Sequence, residues 1–143
     1  MSANQDQLIE QHTLQFLDRT LPKHEWTHKG HFAAALWLLR HRPELAEPEQ
    51  MRSLISSFNL ATGTANTDVS GYHHTITVAS LRAASHHLST HDAAISLSQI
   101  LDDLVGGPFG RSEWLLSYWH KTTIFSPVAR QNWVEPDLQP LPF

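Results

Sequence analysis

Apolar residues recur along most of the chain at the three- and four-residue intervals that place side chains on one face of an α-helix. In the first segment Leu8, Ile9, His12, Phe16 and Leu17 fall near one stripe, a pattern that predicts an amphipathic helix. Similar spacing returns in five later segments, separated by short stretches rich in proline, glycine or small polar residues. The pattern therefore predicts a protein built from helices.

Capping residues and prolines predict where the next two helices begin and end. Thr27 is a suitable N-cap for a helix running from His28 to about Arg42. Pro43 ends that helix, because a residue that precedes proline disfavours the helical conformation. A third helix is predicted from Glu47, with a proline in its first turn.

The second half of the chain continues in the same way after a loop of small and Asx residues at 61–71. Residues 72–88 are predicted as a helix despite β-branched residues near their start, because no neighbouring segment offers a partner strand. Further helices are predicted over about 92–104, from an N-cap at Ser112, and from Ser126. The fold class is thus predicted as all-α: one domain over 1–143, a compact bundle of about six helices, with an extended proline-rich tail at 134–143.

Composition excludes several classes of function. The net charge is −4 and the ten Lys and Arg residues are scattered, so no basic surface is expected for nucleic acid. The longest apolar run has eight residues, far fewer than the roughly 20 that span a bilayer. Cysteine is absent and the N-terminal residues lack the pattern of a signal peptide, from which a cytoplasmic location is expected.

Histidine is the unusual component, with eleven residues in 143. His28 and His31 stand three apart at a helix start, and His73 and His74 stand at the start of another. Neutral imidazoles converging from two helices can bind a divalent metal such as Zn, Fe, Ni or Cu. We therefore consider a metal site formed by His28, His31 and His73, with Thr77, His74 or water completing the shell. The structural alternative is that His28 donates to a loop carbonyl and that His31 is a core residue beneath Trp26.

Two aromatic residues lie beside these histidines. Trp26 and Tyr72 each sit one or two residues from a histidine pair at an element boundary. Aromatic side chains next to convergent polar groups are typical of a small-molecule pocket, whereas hydrophobic staples at two helix starts are the structural alternative. His73 is predicted on the helix face that carries Ile76, Thr77 and Ser80.

Three motifs together resemble a bacterial family of small helical proteins without an assigned function. They are W-T-H-x-x-H-F at 26–32, G-Y-H-H-T-I-T at 71–77 and F-S-P-x-A-R-x-x-W-V-E-P-D-L-x-P-L-P at 125–142. The resemblance extends over nearly the whole chain and implies that His28, His31, His73 and Thr77 are shared family positions. The second motif of the family has Glu where this chain has His74. Histidines in two of these motif segments favour a common His-lined pocket.

Three hypotheses for function follow from these patterns. In the first, His28, His31 and His73 hold a divalent metal, Trp26 and Tyr72 form the pocket, and His74 and Thr77 bind or polarise a small polar substrate for hydrolytic or oxygen chemistry. In the second, the pocket binds a small ligand or performs acid–base chemistry without metal, with His73 as the base. In the third, the tail at 134–143 docks on a partner or on a second copy, forming a homodimer.

Overall fold

The computed structural model describes residues 2–143, and side chains for residues 4–143. Within that range all regular structure is helical and no β-strand occurs, so the predicted all-α class is confirmed. The α-helices in chain order are α1 Ser2–Asp18, α2 His28–His41, α3 Pro48–Ala61, α4 His74–Ser89, α5 Leu97–Gly106, α6 Lys121–Ile124 and α7 Pro127–Gln131. Short 3-10 helices cover Lys23–Glu25, Pro43–Ala46, Pro108–Gly110 and Ser112–Ser117.

Helix α2 lies at the centre and packs against α1, α4 and α5. Its residues 32–38 are all buried, as expected for a helix that is apolar on nearly every side. Gly30 allows α1 to approach closely, since a Cβ there would lie 2.7 Å from the backbone oxygen of Glu25 and 3.0 Å from the His12 ring. The His12 ring also bonds the Gly30 carbonyl at 3.0 Å. Gly30 thus determines how closely α1 can approach α2.

Helix α5 begins at Leu97, five residues later than the predicted start at Asp92. The Asp92 carboxylate instead accepts the backbone N–H of Ala94 and forms a turn. The free N–H groups of Leu97 and Ser98 are accepted by the carboxylate of Asp6, which reaches across from α1. This long-range contact adds to the local N-cap Ser96, whose hydroxyl accepts the backbone N–H of Gln99, and the bonds from Asp6 could not be predicted from local spacing.

The predicted helix with an N-cap at Ser112 is also corrected. Residues Ser112–Ser117 form a 3-10 helix, with Arg111 before it and no side-chain cap, and α6 starts separately at Lys121. Asp137 makes the interruption favourable, because its carboxylate accepts the backbone N–H of His120 at 2.8 Å and the hydroxyl of Thr123 at 2.6 Å. It thereby joins the start of α6 to the C-terminal tail by bonding the N-cap residue His120 and a side chain of the helix.

The last ten residues, 134–143, contain no helix or strand and contact the rest of the same chain. The indole N–H of Trp119 donates to the carbonyl of Val134, and the backbone N–H of Leu138 donates to Tyr118. Leu141 and Phe143 pack against the main core. Docking of this segment on another chain stays a prediction. None of the described helices combines the length and apolar character needed to cross a membrane.

The loop between α3 and α4 depends on Asn66 and Gly71. The Asn66 side chain accepts from the backbone N–H of Tyr72 and donates to the carbonyl of Ser56. Gly71 has a φ of 79°, and a Cβ on it would lie 2.5 Å from the oxygen of Ala65. The loop therefore requires glycine at 71 both for its conformation and for space.

Replacing Gly71 by alanine should destabilise the fold more than the same change at Gly63. Both glycines have positive φ, but a Cβ at Gly63 would meet no atom within 4 Å. We expect a loss of unfolding free energy of roughly 2–4 kcal/mol for Gly71→Ala and about 1 kcal/mol for Gly63→Ala. Urea denaturation of the two variants measures both values, and equal losses would show that close packing at Gly71 contributes nothing.

Candidate functional site

The first histidine motif forms the start of α2. The hydroxyl of Thr27 accepts the backbone N–H of Gly30 at 3.0 Å, so the predicted N-cap is confirmed. The Trp26 ring lies 4.3 Å from Phe16 and 4.2 Å from His31, measured between ring centroids. Trp26 is thereby fixed between the core and the imidazole of His31.

The second histidine motif forms the start of α4, but His73 lies outside the helix as its N-cap. Its Nδ1 accepts the backbone N–H of Ile76 at 3.2 Å, and its Nε2 lies 2.5 Å from the carbonyl oxygen of Ile124. These two partners assign a neutral ring with the proton on Nε2, since only a protonated nitrogen donates to a carbonyl. Burial lowers the pKa of His73 and favours the same neutral form. Both ring nitrogens are therefore occupied.

His74 belongs to a separate polar cluster. Its Nδ1 lies 2.7 Å from the hydroxyl of Tyr72, and its Nε2 lies 3.8 Å from the carboxylate of Glu49. Glu49 also pairs with Arg52, whose guanidinium lies 5.2 Å above the Tyr72 ring. Burial lowers the pKa of His74, and burial raises that of Tyr72 to about 12. His74 thus holds the hydroxyl of Tyr72 in place through a hydrogen bond.

A cavity of about 440 Å³ lies among α2, α3, α4 and the turn after α6, and we call it the inner cavity. Its lining is mainly apolar, with a few hydroxyl, amide and imidazole groups, as is typical of small-molecule sites. The lining residues are Trp26, His31, Ala35, Met51, Ile55, Asn59, Thr64, Gly71, Tyr72, His73, Ile76, Thr77, Ser80, Leu81, Phe125 and Arg130. No carboxylate occurs in this lining, as far as the described side chains 4–143 extend.

A second space of about 380 Å³, the side cavity, adjoins the inner cavity. The two share His31, Ile76, Ser80 and Phe125. The other residues of the side cavity are His28, Phe32, Ser112, Glu113, Trp114, Leu115, Leu116 and Lys121. Glu113 and Lys121 are exposed, so the charged part of this lining is at the protein surface.

His31 is the histidine that faces both cavities. Its side chain is accessible to water, yet protein surrounds the ring closely enough to disfavour its charged form. The ring lines both cavities and its surface is exposed, so a ligand can reach it. Within residues 4–143 its imidazole forms no hydrogen bond, unlike the rings of His28 and His73. His31 is therefore free to bond a ligand.

Burial and two neighbouring histidines keep His31 neutral. Desolvation is the largest effect, and the charges of His28 and His12 add to it, lowering the pKa of His31 to about 4. A neutral imidazole offers one N–H donor and one acceptor nitrogen at neutral pH. Such a weak base is poorly suited to proton abstraction near pH 7, where a pKa close to the working pH is most effective. The ring is better suited to hydrogen bonding.

The structure brings most of the predicted site residues to these cavities. Trp26, His31, Tyr72, His73 and Thr77 line the inner cavity, and His28 lines the side cavity, whereas His74 lines neither. The hydroxyl of Thr77 donates to the carbonyl of His73 at 2.7 Å.

The three histidines predicted as metal ligands do not form a ready ligand set in this conformation. His28 Nε2 lies 2.7 Å from the carbonyl oxygen of Phe109, as in the structural alternative for that residue, and both nitrogens of His73 are occupied. Across the described residues, no group of three or more His, Cys, Asp or Glu side chains is placed to hold a metal ion. Metal binding at these positions stays a prediction.

Several residues that line the inner cavity are not among the predicted site residues. Ser80 was placed on the correct face of α4, one turn after Ile76, but nothing in the local pattern distinguished it from a solvated serine. Asn59, Phe125 and Arg130 come from three other segments. Arg130 lies in the third motif and donates to the carbonyls of Gly71 and Tyr72. Only the tertiary packing brings these residues together.

Comparison with models of protein families, with characterised proteins and with solved structures finds no match for this chain. The site is therefore interpreted from its own geometry.

Titration should identify His31 among the eleven histidines. Its pKa falls from the ordinary 6.5 to about 4 on folding, so between these pH values the unfolded chain binds a proton that the folded chain does not. Stability should therefore decrease as pH falls from 6.5 towards 4, and less steeply in His31→Gln than in the wild type. Ring-proton NMR and urea denaturation measure the two effects. A His31 pKa near 6.5 would contradict the described surroundings of the ring.

Proposed function

We propose that the protein binds a small, uncharged, mainly apolar molecule that carries a hydrogen-bonding group. The observation that supports this most directly is the free, neutral imidazole of His31 within a largely apolar cavity. The ring has no protein partner among the described residues and can bond a ligand in place of water. His31, rather than the predicted His73, is therefore the histidine that contacts the ligand, and its role is hydrogen bonding rather than that of a base.

The charges around the inner cavity favour a neutral ligand. A cationic ligand would find no carboxylate among the described lining side chains. The one Arg in the lining, Arg130, donates through Nη1 to two backbone carbonyls, and its Nε is buried without a hydrogen-bond partner among the described residues. A cationic ligand would lose its hydration without a matching counter-charge, which costs far more than the transfer of a neutral group, and an anion would meet only the partly engaged guanidinium of Arg130.

Binding is favoured over catalysis by the same groups. The pKa of about 4 makes His31 a weak base, and the pKa of Tyr72, near 12, makes its hydroxyl a weak acid. Neither is adjusted towards neutrality as catalytic groups usually are. Hydrogen bonding and apolar contact are the properties that this lining provides.

Three probes with seven carbon atoms each test the preference for a neutral ligand: 2-heptanone, heptanoate and heptylammonium. We expect 2-heptanone to bind with a dissociation constant on the order of 0.1 mM, measured by isothermal titration calorimetry. His31→Leu should weaken its binding about five- to tenfold through loss of one hydrogen bond. His24→Leu, a change at an exposed histidine of the connector, is the matched control and should leave affinity unchanged.

A filled cavity provides an independent test. Ala35 lines only the inner cavity among the two spaces, so Ala35→Leu should remove 2-heptanone binding by occupying its volume. Failure of all three probes to bind the wild type, or unchanged binding in Ala35→Leu, would contradict the proposal. Preferential binding of heptanoate would assign the cavity to anions instead.

A divalent metal ion is the second candidate. One observation favours it: His28 and His31 line the same side cavity, and they are close enough for the charge of one to lower the pKa of the other. A metal would require His28 to leave the carbonyl of Phe109 and further ligands from solvent or substrate. We infer no reaction step through such an ion.

Metal analysis of protein purified without an affinity tag tests this candidate. If the histidine pair holds an ion, the protein contains near-stoichiometric Zn, Fe, Ni or Cu, and the content falls in both His28→Gln and His31→Gln. Exposed His24→Gln serves as the control. Substoichiometric metal that is equal in all four proteins would exclude the candidate.

A further inference from the structure

Resting on the proposed function, we infer that the natural ligand is an elongated molecule with apolar groups on both sides of a central hydrogen-bonding group. Such a ligand would occupy the inner and side cavities together. Its polar group would lie where the cavities meet, beside the residues that line both and that we call the shared wall: His31, Ile76, Ser80 and Phe125. Two of them, His31 and Phe125, are exposed.

The shared wall provides the two polar groups that a central acceptor needs. His31 comes from α2, while Ser80 comes from α4 one helical turn after Ile76 and therefore on the same face. Neither side chain forms a hydrogen bond within residues 4–143, although a helical serine often bonds the carbonyl four residues earlier. Both groups are available at the one place that the cavities have in common.

The surfaces beyond this wall are suited to apolar groups. On the inner side lie Ala35, Met51 and Ile55. On the other side lie Phe32, Leu115 and Leu116, and the charged residues of that cavity are exposed. Apolar surface brought into both spaces gains free energy in proportion to its area.

The hydrogen-bonding requirement identifies the class of the central group. Ser80 can donate its hydroxyl proton, and the neutral His31 ring can donate its single N–H. A carbonyl oxygen has two lone pairs and can accept both bonds, so a ketone, ester or amide fits this position. A molecule with its polar group at one end would leave either this pair or one apolar space unfilled.

Two isomeric ketones separate these cases, because 6-undecanone and 2-undecanone differ only in the position of the carbonyl. We expect 6-undecanone to bind the wild type at least tenfold more tightly by calorimetry. Ser80→Ala removes one donor without adding volume, and should reduce that preference severalfold. Ser85→Ala, on the exposed side of the same helix, is the matched control and should retain it.

Filling each cavity separately tests whether one molecule spans both. Ala35→Leu adds volume to the inner cavity and Leu116→Phe to the side cavity. Each should weaken 6-undecanone at least tenfold, whereas 2-heptanone should be sensitive to Ala35→Leu alone. Thermal denaturation of both variants verifies that they fold.

The outcomes distinguish the inference from the proposed function. Equal binding of the two ketones, or 6-undecanone affinity that ignores Leu116→Phe, would overturn the spanning ligand while leaving a ligand-binding inner cavity. Absence of binding by 2-heptanone and by both undecanones would overturn the proposed function itself.

Discussion

The imidazole of His73 forms the connection on which the candidate site depends. One nitrogen caps α4 through Ile76, and the other bonds the carbonyl of Ile124 at the end of α6. The turn after Ile124 places Phe125 in the shared wall, where it lines both cavities. A single neutral ring therefore positions both the start of the helix that carries Thr77 and Ser80 and the segment opposite it.

The C-terminal residues extend this connection. Asp137 accepts bonds from His120 and Thr123 and so holds α6 in place. Those bonds are the largest causes that lower the pKa of Asp137 to about 2, and the charge of His120 adds to them. The carboxylate consequently remains ionised at any physiological pH and its bonds persist. The tail thereby contributes to the cavity through contacts within its own chain.

The helical class, the N-caps of α2 and α7, and five of the seven predicted site residues at the inner cavity could be obtained from the sequence, because these depend on local spacing. The bonds from Asp6 to α5 and the division at 112–120 could not, since Asp6 and Asp137 act from distant segments. The start of α5 itself does have a local signal, the N-cap Ser96. The individual roles of the histidines were equally inaccessible. Spacing shows which residues share a face, whereas the hydrogen bonds that occupy His28 and His73 arise only after packing.

The same distinction explains why a chain rich in histidine need not direct those residues to one task. An imidazole can cap a helix, join two segments or bond a ligand. Which of these it does depends on whether its N–H donor and its acceptor nitrogen already have partners in the protein. In His73 both nitrogens are used for structure, and in His74 the ring supports Tyr72. In His31 neither ring nitrogen has a hydrogen-bond partner within residues 4–143, and the cavity beside the ring is large enough for a small ligand. A ring with free nitrogens beside a cavity, more than the number of histidines, identifies the candidate site.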